Sequence, residues 1–144
     1  MSNMEPREFH ILASRLVTEP KPAEIRTAIS RAYYAIFNMA AQFLVNLGVI
    51  IPRTNVHVAV QQRLQNCGDL EITKVGSQLT ELHTKRIQAD YRLSEKSIEN
   101  QKTALAVIMQ VDRMMGLVEN CLAEPRRQLI IAAIQKWEII TGNR

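Results

Sequence analysis

The residues able to do chemistry in this sequence are few, so what they exclude is informative. The three histidines, His10, His57 and His83, do not share a helical turn. No HExxH or ExxH pair is present, and the two cysteines, Cys67 and Cys121, stand far apart and next to no histidine. A metal site needs clustered ligands and a thiol nucleophile needs an adjacent base, so neither is expected. No GxSxG elbow and no glycine-rich phosphate loop occurs, and no cofactor is implied. What remains is Glu24 to Phe37, with its core Ser30-Arg31-Ala32-Tyr33-Tyr34-Ala35, and a second segment, Arg86-Ile87-Gln88-Ala89-Asp90-Tyr91. Arg31 and Tyr34 are polar groups inside an apolar helical pattern, where such side chains usually have fixed partners. Asp90 is the natural carboxylate for Arg31. If this stretch is helical, Arg86 and Asp90 are four apart and pair on one face; if it is a loop, both turn inward towards the helix that carries Arg31. A structural role for these charges is favoured over a catalytic one, because ion pairs also collect where charges meet apolar surfaces.

Lys85, Arg86, Arg92 and Lys96 outnumber Asp90 and Glu95 locally, and Tyr91 is available for stacking. Such a surface can touch RNA phosphate and base, or can simply be a solvated face. Arg126 and Arg127 form a second basic pair near a helix N-terminus, where the macrodipole disfavours cations.

The elements that must position these residues read as helices. Phe9 to Thr18 is a short first helix, stopped by Glu19-Pro20-Lys21-Pro22. Ala23 to Leu47 follows, with Ile25, Ile29, Ala32, Ile36, Met39, Phe43 and Leu47 at steps of three and four. Arg26, Ser30, Asn38, Gln42 and Asn46 occupy its opposite, polar side. Gly48 suits a left-handed C-terminal cap. A third helix, capped by Thr54 or Asn55, carries Val56, Val60 and Leu64 up to Gly68. Asp69 can cap a fourth, with Ile72, Val75, Leu79 and Leu82 inward.

From His83 to Arg92 the apolar pattern breaks. Ser94 or Ser97 would cap a fifth helix from about Ser97 to Cys121, with Ala104, Ile108, Val111, Met115, Val118 and Leu122 on its core stripe. Gly116, inside it, would mark a close helix crossing. After Pro125 a last helix turns Ile130, Ala133, Ile134, Trp137 and Ile140 inward. No period-two strands, repeats or low-complexity segments occur. The expectation is an all-α, up-and-down helical bundle with two long central helices and shorter flanking ones, as a single domain over residues 1–144.

Composition agrees. The chain has 144 residues, 47% of them hydrophobic, and a formal charge of +4, so it can bury a core without being strongly basic. Twelve arginines against six lysines give weak support for a polyanionic partner. Two separated cysteines, no signal-like N-terminus and no apolar run of the ~20 residues that span a membrane suggest a cytoplasmic protein with no membrane partner.

The Ser30-Arg31-Ala32-Tyr33-Tyr34-Ala35 core resembles the signature helix of HEPN domains. The order continues with His57-Val58-Ala59-Val60, a leucine-spaced helix, Arg86-x-x-Ala89-Asp90-Tyr91 and a long helix, so that the resemblance covers about Glu24 to Cys121. It implies a four- or five-helix bundle that forms a homodimer and is associated with RNA. It also implies links to toxin–antitoxin, defence or nucleotidyltransferase partner systems. Many members are metal-independent endoribonucleases with an arginine followed after four to six residues by a histidine, acting in a cleft at the dimer interface. None of the three histidines here is preceded by arginine at that spacing, and Asp90 stands where the histidine after Arg86 would be. The expected function is therefore an RNA-associated or partner-binding module in which Arg31, Tyr34, Arg86, Asp90 and Tyr91 shape the site. Two alternatives stand beside it. One is an atypical endoribonuclease using Arg86 with His83 or His57, and the other is a dimerisation adaptor presenting Val49 to Ile51.

Overall fold

The computed structural model describes residues 3–121 and 123–143. The protein is an all-α helical bundle, with no strand among the described residues. Six helices follow one another: α1 (Pro6–Leu16), α2 (Pro22–Asn46), α3 (Val56–Gln65), α4 (Leu70–Tyr91), α5 (Gln101–Asn120) and α6 (Arg126–Thr141), with a short 3-10 turn at Lys96–Ile98 before α5. The proline pattern works as the sequence suggests. Pro22 opens α2 and Pro6 opens α1, because the first helical position has no N–H to satisfy. α1 thus begins earlier than Phe9.

The chain forms two compact units. The first comprises Met1–Asn38 and Glu81–Met114, the second Met39–Thr80 and Met115–Arg144. In the first, Ile25, Ala28, Ile29, Ala32, Tyr33 and Ile36 of α2 are buried together with Ala13 of α1 and Val17 just after it, Leu82 and Ala89 of α4, and Ala104, Val107 and Val111 of α5. Burying an aliphatic side chain of this size stabilises by roughly 1.5–3 kcal/mol each, against an entropy cost of similar order for each residue fixed. α1 and α5 run antiparallel here: Arg7 meets Asp112 at 3.3 Å, His10 Nε2 lies 3.2 Å from the Ile108 carbonyl, and the Gln101 amide donates to the Val17 carbonyl at 2.8 Å.

In the second unit Phe43, Leu44, Val60, Leu64, Ile72, Val75, Leu79, Met115, Val118, Ile130 and Ile134 form the core. Gly76 of α4 lies close against α3, since a Cβ there would stand 2.9 Å from Leu64 Cβ.

Five expectations are corrected. The largest concerns α4, which is continuous to Tyr91 and does not break at His83. Its buried positions run Ile72, Val75, Leu79, Leu82, Arg86, Ala89, in unbroken steps of three and four. The apolar pattern fades only because an arginine occupies one core-facing step, so α4 joins α2 and α5 as a third long helix. Neither Ser94 nor Ser97 starts α5. The Asn100 side chain accepts from the Lys102 and Thr103 N–H groups at 2.8 and 3.3 Å and does the capping. Gly116 marks no close crossing within the chain, because a Cβ there would meet nothing within 4 Å. Arg26 and Ser30 are buried, not on an outer polar side. On α6, Ile140 is 71% exposed and Glu138 is buried instead.

Asn55 stands at the α3 N-terminus in the left-handed region (φ 52°), but its side chain makes no capping hydrogen bond. Asp69 does cap α4, its Oδ2 accepting from Ile72 N at 3.1 Å. Leu122, expected on the α5 stripe, lies outside the described residues.

Candidate functional site

The candidate residues of the first unit lie on α2 and the C-terminal turns of α4. Positions 26, 30, 31, 33 and 34 of α2 present two adjacent sides of one helix. On α4, His83, Arg86 and Asp90 follow at steps of three and four and share one side.

Asp90 is held by α2. Ser30 Oγ donates to its Oδ2 at 3.0 Å, and Arg86 Nη1 lies 3.7 Å from the same oxygen. Arg31 reaches this pair through the serine, its Nη2 standing 3.4 Å from Ser30 Oγ. The expected direct Arg31–Asp90 ion pair is replaced by this relay. The Arg31 guanidinium instead covers two rings, with Cζ 4.8 Å from the Tyr34 centroid and 5.1 Å from that of Phe9. Among the described residues no carboxylate lies within ion-pair distance of Arg31, so its charge is balanced by aromatic faces and solvent.

Arg86 is set deeper. Its side chain is 9% exposed, and its Nε is buried without a hydrogen-bond partner. Three tyrosines surround its guanidinium, with Cζ 5.7 Å from the Tyr33 centroid, 5.4 Å from Tyr34 and 5.9 Å from Tyr91. Ring faces offset the loss of water around a cation, which accounts for a charged side chain on a core-facing step with one loose carboxylate contact. Two guanidinium groups, from Arg31 and Arg86, therefore rest against one ring, Tyr34. Tyr91 is 71% exposed and turns part of its surface to solvent.

His83 lies one turn before Arg86 and stacks on Tyr33, centroids 5.5 Å apart at an interplanar angle of 24°. Burial, and then the nearby Arg86 charge, push its pKa below the usual value of 6.5. The imidazole is accordingly neutral at pH 7. His57 belongs to α3 in the second unit, so the histidine assembled with Arg86 within the first unit is His83.

The residue that organises this end of α4 escapes a reading of the sequence. Arg26 Nη1 donates to the Gln88 and Ala89 carbonyls at 2.9 and 3.0 Å. Its Nη2 donates to those of Arg92, Leu93 and Glu95 at 3.3, 3.4 and 2.9 Å, and its Nε donates to Glu99 Oε2 at 2.7 Å. One guanidinium thus gathers five carbonyls at and just beyond the end of α4, of which those of Gln88 and Arg92 also accept from backbone N–H groups. The i, i+4 spacing of Arg26 and Ser30 is visible in the sequence. The carbonyls that receive Arg26 are some sixty residues away and carry no side-chain signature.

In the second unit the basic pair at 126 and 127 is accounted for structurally. Arg126 makes a two-point contact with Asp69, both at 3.0 Å, and reaches Glu71 at 3.2 Å. That contact holds the Asp69 carboxyl below its usual pKa. Arg127 Nη2 donates to the Asn46 carbonyl at 3.1 Å. Arg63 and Glu138, not singled out by the sequence, form a buried ion pair at 3.1 Å. Each is a charged residue on a buried helical step, which was the available signal. Cys67 and Cys121 are free, buried thiols, and burial pushes the Cys121 pKa up to about 11. Among the described residues no group of three His, Cys, Asp or Glu side chains could hold a metal ion, and no helix is long and apolar enough to cross a membrane.

The fold places the chain among all-α helical-bundle proteins. Beyond that class, no family model, curated protein or solved structure matches it.

Proposed function

We propose that this chain is a cytoplasmic, HEPN-like module that binds single-stranded RNA without cleaving it, the bound phosphate resting on Arg31. The observation that carries this reading is the Arg31 guanidinium, half-buried on the Tyr34 ring with no carboxylate beside it, next to an Arg86 that shares the same ring. A cation that already has a flat aromatic support but no anionic partner is suited to a phosphodiester oxygen. The exposed Tyr91 ring offers a face for base stacking. Binding without cleavage is favoured because Asp90, anchored by Ser30, stands where the resemblance would put the histidine after Arg86, so the proton-transfer group of that motif is missing.

The test is fluorescence anisotropy with a labelled single-stranded RNA, over a salt series, with cleavage of the same RNA followed in EDTA. The wild type should bind and leave the RNA intact. Arg31→Ala should weaken binding by roughly tenfold and lower the salt slope by about one. Absence of binding at low salt by the folded protein overturns the reading.

A second reading, a metal-independent endoribonuclease, is favoured by one observation. His83, kept neutral, and Arg86 both lie against Tyr33, as a general base and a phosphate-stabilising group would have to be neighbours. Cleavage in EDTA that is lost in both Arg86→Ala and His83→Ala would establish it in place of the first. The homodimer, and a nucleotidyltransferase or other toxin–antitoxin partner, rest on the resemblance of the Ser30–Ala35 and Arg86–Tyr91 segments. Mass measurement in solution tests the first. A dimerisation adaptor using Val49 to Ile51 is supported by Ile50, which is 86% exposed, and Ile50→Asp should then dissociate the dimer.

A further inference from the structure

The second unit contains a pocket of about 190 Å³ where the chain leaves α2 and passes α6. Leu47, Val49, Pro52 and Ile131 supply apolar walls, and Gln135 and Glu138 supply polar ones. Glu138 is the unusual member, with a side chain only 9% exposed. Its Oε2 accepts from Arg63 Nε at 3.1 Å, whereas its Oε1 accepts nothing from the described residues. Arg63 cannot swing across to serve that second oxygen. Its Nη1 is committed to the Ala59 carbonyl at 3.1 Å and its Nη2 to the Asn143 carbonyl at 2.9 Å, and its guanidinium lies against the Trp137 ring at 5.3 Å.

We infer that this pocket binds a small apolar amine or alcohol whose N–H or O–H donates to Glu138 Oε1. The size limit follows from the volume: a dry cavity of roughly 150 Å³ accepts one benzene ring, so the pocket holds a six-membered ring with a short arm. The polarity follows from the carboxylate. A fixed acceptor inside an apolar site selects ligands with a donor head and rejects those that bring a second negative charge. Arg63 cancels much of the Glu138 charge, so a neutral hydroxyl is accepted as well as an ammonium. The site lies in the second unit and uses none of the residues proposed to contact RNA.

The experiment is a titration of the full chain, isotopically labelled, with benzylamine, benzyl alcohol and benzoate, followed by amide NMR shifts. Benzylamine and benzyl alcohol should give saturable shifts at amides of residues 47–51 and 131–143, and benzoate should give none. Ile131→Trp, which fills the pocket from a half-buried position, should abolish those shifts. Glu138→Gln should weaken benzylamine binding by about tenfold. Should that variant fail to fold because Arg63 loses its partner, the Ile131→Trp result and the benzoate comparison decide alone. Absence of saturable shifts, equal binding of benzoate, or unchanged binding in Ile131→Trp would each overturn the inference.

Discussion

Ser30 Oγ donates a 3.0 Å hydrogen bond to Asp90 Oδ2, and this contact joins the middle of α2 to the last turn of α4. Ser30 is 3% exposed, so its hydroxyl has little water to fall back on. Ser30→Ala should destabilise the protein by about 1–2 kcal/mol, read as a shift in the urea midpoint. In a double-mutant cycle with Asp90→Ala, a coupling of at least ~0.5 kcal/mol is expected. Additive effects would mean that Asp90 is held by something other than Ser30.

Removing Arg26 should do more harm. Its loss leaves Glu99 without its ion-pair partner and deprives five carbonyls of a donor. Breaking one side of a buried ion pair costs about 3–5 kcal/mol, so Arg26→Ala should lower stability by that order. Amide hydrogen exchange in residues 88–99 should quicken before the rest of the first unit. Uniform acceleration across the chain would show Arg26 to be a general stabiliser and not a local clamp.

The two helical glycines should respond with opposite signs. Gly116→Ala places a methyl where nothing lies within 4 Å, and should stabilise by about 0.5–1 kcal/mol through helix propensity. Gly76→Ala places one 2.9 Å from Leu64 Cβ and 3.0 Å from Gln65 backbone N. The forced displacement, typically 1–3 kcal/mol, should outweigh the same propensity gain. Thermal melts of the two variants check both signs.

His83 makes stability depend on pH. Its folded-state pKa lies below the ordinary 6.5, so below pH 6.5 the unfolded chain takes up a proton that the folded chain resists. Stability should therefore be fully present above pH 6.5 and fall as pH drops from there through the folded value. His83→Gln should flatten that part of the profile. An NMR titration of the His83 ring giving a midpoint above 6.5 would reverse the sign and contradict this account.

The periodicity of the sequence determined much of the molecule. All six helices are legible in it, because steps of three and four with proline starts and glycine ends are local properties of the chain. Arg31 and Tyr34 stood out as polar groups within an apolar helical pattern, and Arg86, Asp90 and Tyr91 as charges and a ring where such a pattern broke off. Their partners were another matter. The Arg31–Asp90 pair expected from charge alone became a relay through Ser30, because the position of a side chain along α4 relative to α2 is set by packing between segments sixty residues apart. The apparent break at His83 was Arg86 itself, which a core-facing step can accept only once three tyrosine rings surround it. Arg26 remained hidden because its acceptors are backbone carbonyls, which every residue has and no sequence distinguishes. Nothing in the sequence singled out Arg63 and Glu138, which tertiary packing puts 3.1 Å apart, since only the folded chain decides which helical step loses its water.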